Sequence, residues 1–411
     1  MNKRPRILKP AAQTPALLAV NGGSSSIRFA FYEAHAPMRR IMDGKMDRIG
    51  LPGTSLAFRD LLKGTSRRLR VAANSGKAVD FLLAWLEGQP VFASVAGVGH
   101  RIVHGMAHTK PARVTPRLLG ELRRTAPFDP DHLPREIELI RAIQRRRPRL
   151  PQVACFDTAF HRTMPRVARI LPIPRRFEAM GVVRYGFHGL SFEFLIGELR
   201  KTAGPGAARG RVILAHLGSG ASMAAVRGGR SIDTSMGFTP VAGLVMGTRS
   251  GDLDPGIAGF LARREGMSPA GFQDMVNHES GLLGVSGTSS DMRDLLSREK
   301  RDARAAEAVE LFCYQAKKWI GAYAAALGGL DTLVFAGGIG ESSPGVRERI
   351  CGGLGFLGVA IDARRNRANA PIISVRAAKV AVRVIRTDEE LMIARSVARV
   401  LGLGKRQTKN L

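Results

Sequence analysis

The sequence predicts an α/β protein of two domains related by internal duplication. Three observations carry that prediction. Residues 16–32 read as a strand, a Gly/Ser turn and a second strand, and residues 211–226 repeat the pattern. Residues 331–349 pass from a buried apolar strand through a glycine-rich turn into a helix, an arrangement that nucleotide-binding α/β folds use. At 411 residues the chain is also too long for one ordinary core.

Composition narrows the function classes. The chain is 45% hydrophobic and 24% charged, which is globular, and no apolar run approaches the ~20 residues that span a bilayer. The basic N-terminus lacks the apolar stretch of a signal peptide. Cys155, Cys313 and Cys351 have neither paired nor metal-ligand spacing, which suits a reducing cytoplasm. Lys and Arg total 63 against 34 acids, a net charge of +29 that favours anionic partners. The excess is spread along the chain as Arg39-Arg40, Arg67-Arg68, residues 145–147, Arg175-Arg176 and Lys405-Arg406, as on a solvated surface. With 6% aromatics and no aromatic-interleaved basic stretch, a single-strand stacking platform is not indicated and no specific nucleic-acid partner is expected.

In chain order, residues 1–15 carry four basic residues and three prolines and read as a flexible basic arm. Residues 16–20 form a strand, and Asn21-Gly22-Gly23-Ser24-Ser25-Ser26 a tip whose backbone N–H groups and hydroxyls suit a phosphate; Gly-Ser turns also join many ordinary hairpins. Residues 91–103 read as a strand carrying Arg101 and ending at Val103, His104 and Gly105. Helices are expected at 114–124 and 136–145, with a loop around Phe128 and Asp129 between them. Asp157 follows the strand 152–156, a common place for a catalytic acid in an α/β fold and equally for a helix cap. Tyr185-Gly186-Phe187-His188-Gly189 sets a histidine between glycines, before a helix at 192–201.

The second hairpin turns at Gly218-Ser219-Gly220. Phe238-Thr239-Pro240 opens a glycine-framed loop in which Arg249 is followed by Asp252 and Asp254. A guanidinium held there offers an anionic oxygen two charge-assisted hydrogen bonds; a surface turn with a solvated arginine has the same local pattern. Residues 281–293 read as a polar loop, residues 303–327 as a long core helix, and residues 380–385 as a strand. Thr387-Asp388-Glu389-Glu390 caps and opens a last helix at 391–401. Residues 336–344 are neither a Walker loop nor a Rossmann fingerprint.

Nine ordered motifs, at residues 21–26, 99–105, 156–161, 185–189, 216–222, 233–255, 281–293, 338–344 and 387–391, resemble the acetate kinase family, which includes propionate kinases. The resemblance covers residues 17–401. It implies a duplicated actin-like, sugar-kinase-like (RNase H-like) fold with an interdomain cleft. The N-terminal domain would span 16–160 and be joined by the C-terminal helix at 386–404; the nucleotide-binding domain would span 161–385. The implied reaction moves the γ-phosphate of ATP reversibly onto acetate, with Mg²⁺ or Mn²⁺, in a cytoplasmic homodimer.

Residue roles follow from the same resemblance. Asn21 and Glu389 match the metal positions, and Arg101 the substrate-contacting arginine. Asp157 matches the catalytic acid; His188 and Arg249 match the transition-state stabilisers. Arg28, His216, Leu217, Gly218, Ser219, Gly220, Asp291, Met292, Arg293, Gly338, Ile339, Gly340, Glu341 and Ser342 match the stretches that hold ATP. Val103, Phe187 and Pro240 match walls of a small apolar pocket.

The sequence also departs from the family. Arg28 replaces a usual lysine, Ser219 and Ser342 usual asparagines, and Leu190 and Phe192 a usual threonine and histidine. Phe128 and Asp129 fall where leucine and histidine are usual. A propionate or butyrate kinase, a pyrophosphate-using relative and a degenerate nucleotide-binding protein are the competing readings. The joint presence of Arg101, Asp157, His188, Arg249 and Glu389 speaks against the last.

Overall fold

The central strand of the first sheet is apolar and buried on both faces, from Ala16 to Val20, as a strand covered on two sides must be. The computed structural model describes residues 14–23, 26–50, 53–71 and 75–403. Residues 1–13 of the basic arm, Ser24 and Ser25 of the hairpin tip, and Lys405-Arg406 lie outside the described residues. The chain divides into two compact units. One comprises residues 1–102, 111–155 and 390–411; the other comprises residues 103–110 and 156–389.

The first unit holds strands β1 (Ala16–Gly22), β2 (Ser26–Glu33), β3 (Arg40–Asp47), β4 (Ser55–Asp60), β5 (Thr65–Arg70), β6 (Val95–Ile102), β7 (Ala112–Arg113) and β8 (Gln152–Phe156). Their order in the sheet is β5-β4-β3-β2-β1-β6-β8-β7. The β1–β2 and β2–β3 pairs are antiparallel and β1–β6 is parallel. The helix Glu389–Leu401 returns to this sheet. Gly97 and Gly99 on β6 lack the Cβ atoms that would strike Val397, Leu401 and Ile393, so the helix backbone comes close.

The second unit holds β9 (Arg211–Leu217), β10 (Ala221–Arg227), β11 (Arg230–Thr234), β12 (Thr332–Ala336) and β13 (Ala381–Val384). The order is β11-β10-β9-β12-β13, with β9–β10 and β10–β11 antiparallel and β9–β12 and β12–β13 parallel. Both sheets therefore contain the order third, second, first, fourth, fifth. In the first unit it runs β3-β2-β1-β6-β8, with extra strands at the edges. The duplicated α/β fold expected from two similar hairpins is the observed one. Each unit has its own apolar core.

The helix Ala303–Leu327 begins after Asp302, whose carboxylate accepts from the N–H groups of Arg304 and Ala305, and ends at left-handed Gly328. Its bounds are those expected from the apolar spacing. Elsewhere local pattern misplaced boundaries. Residues 91–94 of the expected strand lie instead in a 3₁₀ turn, Pro90–Ser94. The expected loop at 281–293 contains a helix, Gly281–Ser286, because Leu282 buries and its N–H donates to the Met246 carbonyl. The helix expected at 192–201 runs Gly189–Arg209, with a break at Gly204 before Pro205.

Candidate active site

Asp157 opens a 3₁₀ turn directly after β8 and is fully buried. Its Oδ2 accepts from the N–H of His188 (3.2 Å) and its Oδ1 from the N–H of Leu190 (3.3 Å). The carboxylate therefore caps the helix Gly189–Arg209, where the helix dipole favours negative charge. His188 sits at that N-cap with φ 57°, a left-handed conformation uncommon for a residue with a side chain. Capping and placing the histidine are thus one arrangement.

His161 supports the same turn. Its Nε2 donates to the Phe187 carbonyl (3.0 Å), and Nδ1 accepts from Ser231 Oγ (2.9 Å). Burial pushes its pKa down to about 4, so the ring is neutral near pH 7.

His188 Nδ1 shares a hydrogen bond with Ser222 Oγ on β10 (2.8 Å). Arg249 Nη1 donates to the Pro240 carbonyl (2.8 Å). Both side chains converge on Gly220: a methyl group there would lie 2.7 Å from Arg249 Nη2 and 3.3 Å from His188 Nε2. Glycine leaves that space open, and a Cβ there would push the guanidinium tip aside. Two nitrogen donors over a bare backbone form a place for a charged oxygen-rich group.

The stretches expected to hold ATP lie around the ends of two neighbouring parallel strands. Ala336 of β12 is in register with His216 of β9. His216 Nδ1 bonds Ser191 Oγ (2.8 Å), and Ser191 Oγ also bonds Thr387 Oγ1 (2.8 Å). The Gly218 N–H donates to the Gly220 carbonyl (3.0 Å), closing the turn, and the Ser219 carbonyl accepts from the Gly247 N–H (2.9 Å). Leu217 is buried. Asp291 caps the helix that begins with Met292, and takes Arg293 Nε (3.1 Å) and Nη2 (2.6 Å).

Residues 338–342 are not an open loop but a short helix, Gly337–Ser342. Glu341 Oε1 accepts from the Gly337 N–H (2.9 Å), so that end already faces a carboxylate of its own chain. Ser342 is exposed.

Val103 and Phe187 belong to one buried apolar cluster, and Pro240 is buried beside its bond to Arg249. The His104 ring packs edge-on to Phe187 at 5.5 Å and to Tyr185 at 4.5 Å. Asp157, His188, His216, Arg249, Asp291 and Glu389 all lie in the second unit, while Asn21, Arg28 and Arg101 lie in the first. Asn21 and Arg28 are direct cross-strand partners of β1 and β2, and Asn21 Nδ2 donates to Glu390 Oε1 (3.2 Å). Asp129 is buried, and its Oδ1 bonds His132 Nδ1 (2.7 Å).

Among the described residues no three His, Cys, Asp or Glu side chains are grouped to hold a metal ion. The implied Mg²⁺ is compatible with that, because it takes one or two carboxylates and completes its shell with substrate phosphates and water. Glu389 in the second unit and the amide of Asn21 in the first each carry a hard oxygen donor of the kind such an ion takes.

Sequence reasoning assigned no role to Ser191, Ser222 or Arg347. The two serines stand inside or beside quoted motifs, and that proximity was the available signal. Arg347 carried none, since it reads as one more arginine on a short helix. No described helix is long and apolar enough to cross a membrane.

Comparison with known proteins shows the family of the chain. The model of the Acetokinase family matches residues 16–395. Acetate kinase from Rhodopseudomonas palustris is 44% identical over 95% of this chain and 99% of its own length. Propionate kinase from Citrobacter rodentium is 43% identical, covering 93% of this chain and 96% of its own. The crystal structure of Porphyromonas gingivalis acetate kinase superposes with a TM-score of 0.84 at 37% identity, covering 94% of this chain and 100% of that one.

Proposed function

Because the chain belongs to the Acetokinase family and is a phosphotransferase of that family, we propose that it transfers the γ-phosphate of ATP to acetate, reversibly. An acetate oxygen attacks the γ-phosphorus in line, the bond to the β–γ bridging oxygen breaks, and ADP leaves. Acetate is already ionised at neutral pH, so the step calls for no general base. It calls for positioning and for neutralising charge on the transferring group.

The observation that carries this reading is the convergence of Arg249 Nη2 and His188 Nε2 at Gly220. These donors are suited to equatorial phosphoryl oxygens, where charge develops. Asp157 holds the His188 turn from below. Val103, Phe187 and Pro240 are assigned to the methyl group, and residues 216–220, 291–293 and 338–342 to the nucleotide. Arg101, Arg28 and Asn21 keep the roles that the family resemblance gives them. Asn21 and Glu389 would hold Mg²⁺, which when bound neutralises phosphate charge.

Propionate is the second reading, favoured by the 43% identical propionate kinase. A hydroxamate assay of acyl phosphate, run with ATP and Mg²⁺ across acetate, propionate and butyrate, decides between them. The expected result is the highest kcat/KM with acetate. A higher value with propionate would move the enzyme to the second reading, and no acyl phosphate from any of the three would refute the proposal. The homodimer and cytoplasmic location that the resemblance implies are proposed on the same basis; sedimentation tests the first and cell fractionation the second.

A further inference from the structure

Glu341 stands in a stretch assigned to the nucleotide, yet its carboxylate is engaged inside the protein. One oxygen, Oε1, accepts two backbone N–H groups: Gly337 (2.9 Å) and Thr387 (3.0 Å). Gly337 opens the short helix that carries Glu341 itself. Thr387 lies 46 residues further on, two residues before Glu389. A carboxylate pointed at phosphates would repel them; one held by two N–H donors is stabilised where it is.

Both ends of this link are braced. Arg347, fully buried, donates through Nη1 to the carbonyls of Gly340 (2.8 Å) and Glu341 (3.0 Å). Its Nε and Nη2 bind Asn366 Oδ1 (2.8 Å) and the Asn366 carbonyl (2.8 Å), so the helix cannot drift away from its support. At the other end, the Thr387 hydroxyl bonds Ser191 Oγ, which holds His216. Thr387 is therefore gripped through its N–H by the nucleotide stretch and through its hydroxyl by the His216 side.

We propose that Glu341 is a positioning residue that clasps the nucleotide stretch to residues 387–389, so that nucleotide held at 338–342 sets the place of the metal-binding carboxylate of Glu389. This rests on the kinase reading above. It deepens that reading by making nucleotide and Mg²⁺ binding thermodynamically coupled through one oxygen atom of the protein.

The test is ADP affinity, measured by calorimetry on the full chain with and without excess Mg²⁺, for wild type, Glu341→Gln and Glu341→Ala. Gln keeps an acceptor oxygen and Ala removes it. The clasp predicts that Mg²⁺ strengthens ADP binding in the wild type. In Glu341→Ala that gain, the ratio of affinity with Mg²⁺ to affinity without it, should shrink about fivefold or more. Glu341→Gln should keep the gain within about twofold of wild type.

If Glu341→Ala does not fold, Glu341→Asp replaces it, one methylene too short to reach Thr387, with the same expected loss. An equal loss of affinity with and without Mg²⁺ would overturn the clasp, because a direct nucleotide contact or a collapsed loop acts on both. An unchanged gain, or Gln as poor as Ala, would overturn it too. A wild type that binds no ADP under either condition would overturn the kinase reading itself, and the coupling with it.

Discussion

The imidazole rings of His188 and His216 stack, with centroids 4.5 Å apart and an interplanar angle of 27°. Each ring is held at Nδ1 by a serine, Ser222 for His188 and Ser191 for His216. Stacking restricts ring tilt and each serine bond restricts ring rotation, so His188 Nε2 stays beside Gly220. Ser222→Ala removes the second restraint without adding bulk. We expect kcat to fall about tenfold, about 1.4 kcal/mol of transition-state stabilisation, with the KM for ATP little changed. Steady-state kinetics checks this; an unaltered kcat would mean that stacking alone holds the ring.

Arg249→Ala should lower kcat by about 10³ or more, as for an arginine acting on a transferring phosphoryl group. ATP binding should change far less. Gly220→Ala gives an independent check from the opposite side, since its methyl would sit 2.7 Å from Arg249 Nη2. The expected outcome is a folded protein with most of its kcat lost. Near-normal turnover in either variant would remove the pair from the reaction.

Stability should fall on mild acidification. Burial pushes both His100 and His161 down to about 4 from an ordinary value of 6.5. The unfolded chain binds these protons first, so their contribution is full above about pH 6.5 and is lost as pH falls toward 4. Each histidine accounts for roughly 3 kcal/mol across that window. Urea midpoints at several pH values measure it, and His161→Gln should flatten the slope. A midpoint constant from pH 7 to 4.5 would contradict this.

Arg347→Met keeps the apolar stem of a buried side chain and removes all its donors. The carbonyls of Gly340, Glu341 and Asn366 would then lose their partner. Unsatisfied buried acceptors cost about 1–3 kcal/mol each, partly offset because burial already disfavours this guanidinium, lowering its pKa to about 10. A net loss of about 3 kcal/mol in urea unfolding is expected. A loss below about 0.5 kcal/mol would mean that water replaces the side chain at no cost.

Phe128→Leu should improve propionate relative to acetate. A phenyl ring is bulkier than the leucine usual at this position, and one methylene in an apolar pocket is worth about 1–3 kcal/mol. The ratio of kcat/KM values for the two acids in variant and wild type reads it directly. An unchanged ratio would mean that Phe128 does not limit the chain length of the acid.

Much of the site was legible because its residues cluster in short, glycine-rich motifs. Phe187-His188-Gly189 and the loop carrying Arg249 announce themselves by residue type. Their partners do not. Ser191 and Thr387 are 196 residues apart and share a hydrogen bond that no local pattern encodes. Asp129 stands in the sequence only as a departure from a usual histidine; the fold gives it His132 as a partner.

The sequence by itself determined the two hairpins and the longest helix. Alternation, apolar spacing and turn chemistry act over a few residues, so the twin hairpins and the helix Ala303–Leu327, closed by Asp302 and Gly328, follow from neighbours in the chain. Only the tertiary structure decided which polar groups are engaged inside the protein. Glu341 looked like part of a phosphate loop, and Arg347 like a surface charge. Packing turned the first onto the Thr387 N–H and the second onto buried carbonyls. The physical reason is that a buried polar group must find a partner wherever the fold brings one, and that partner's distance along the chain is set by topology.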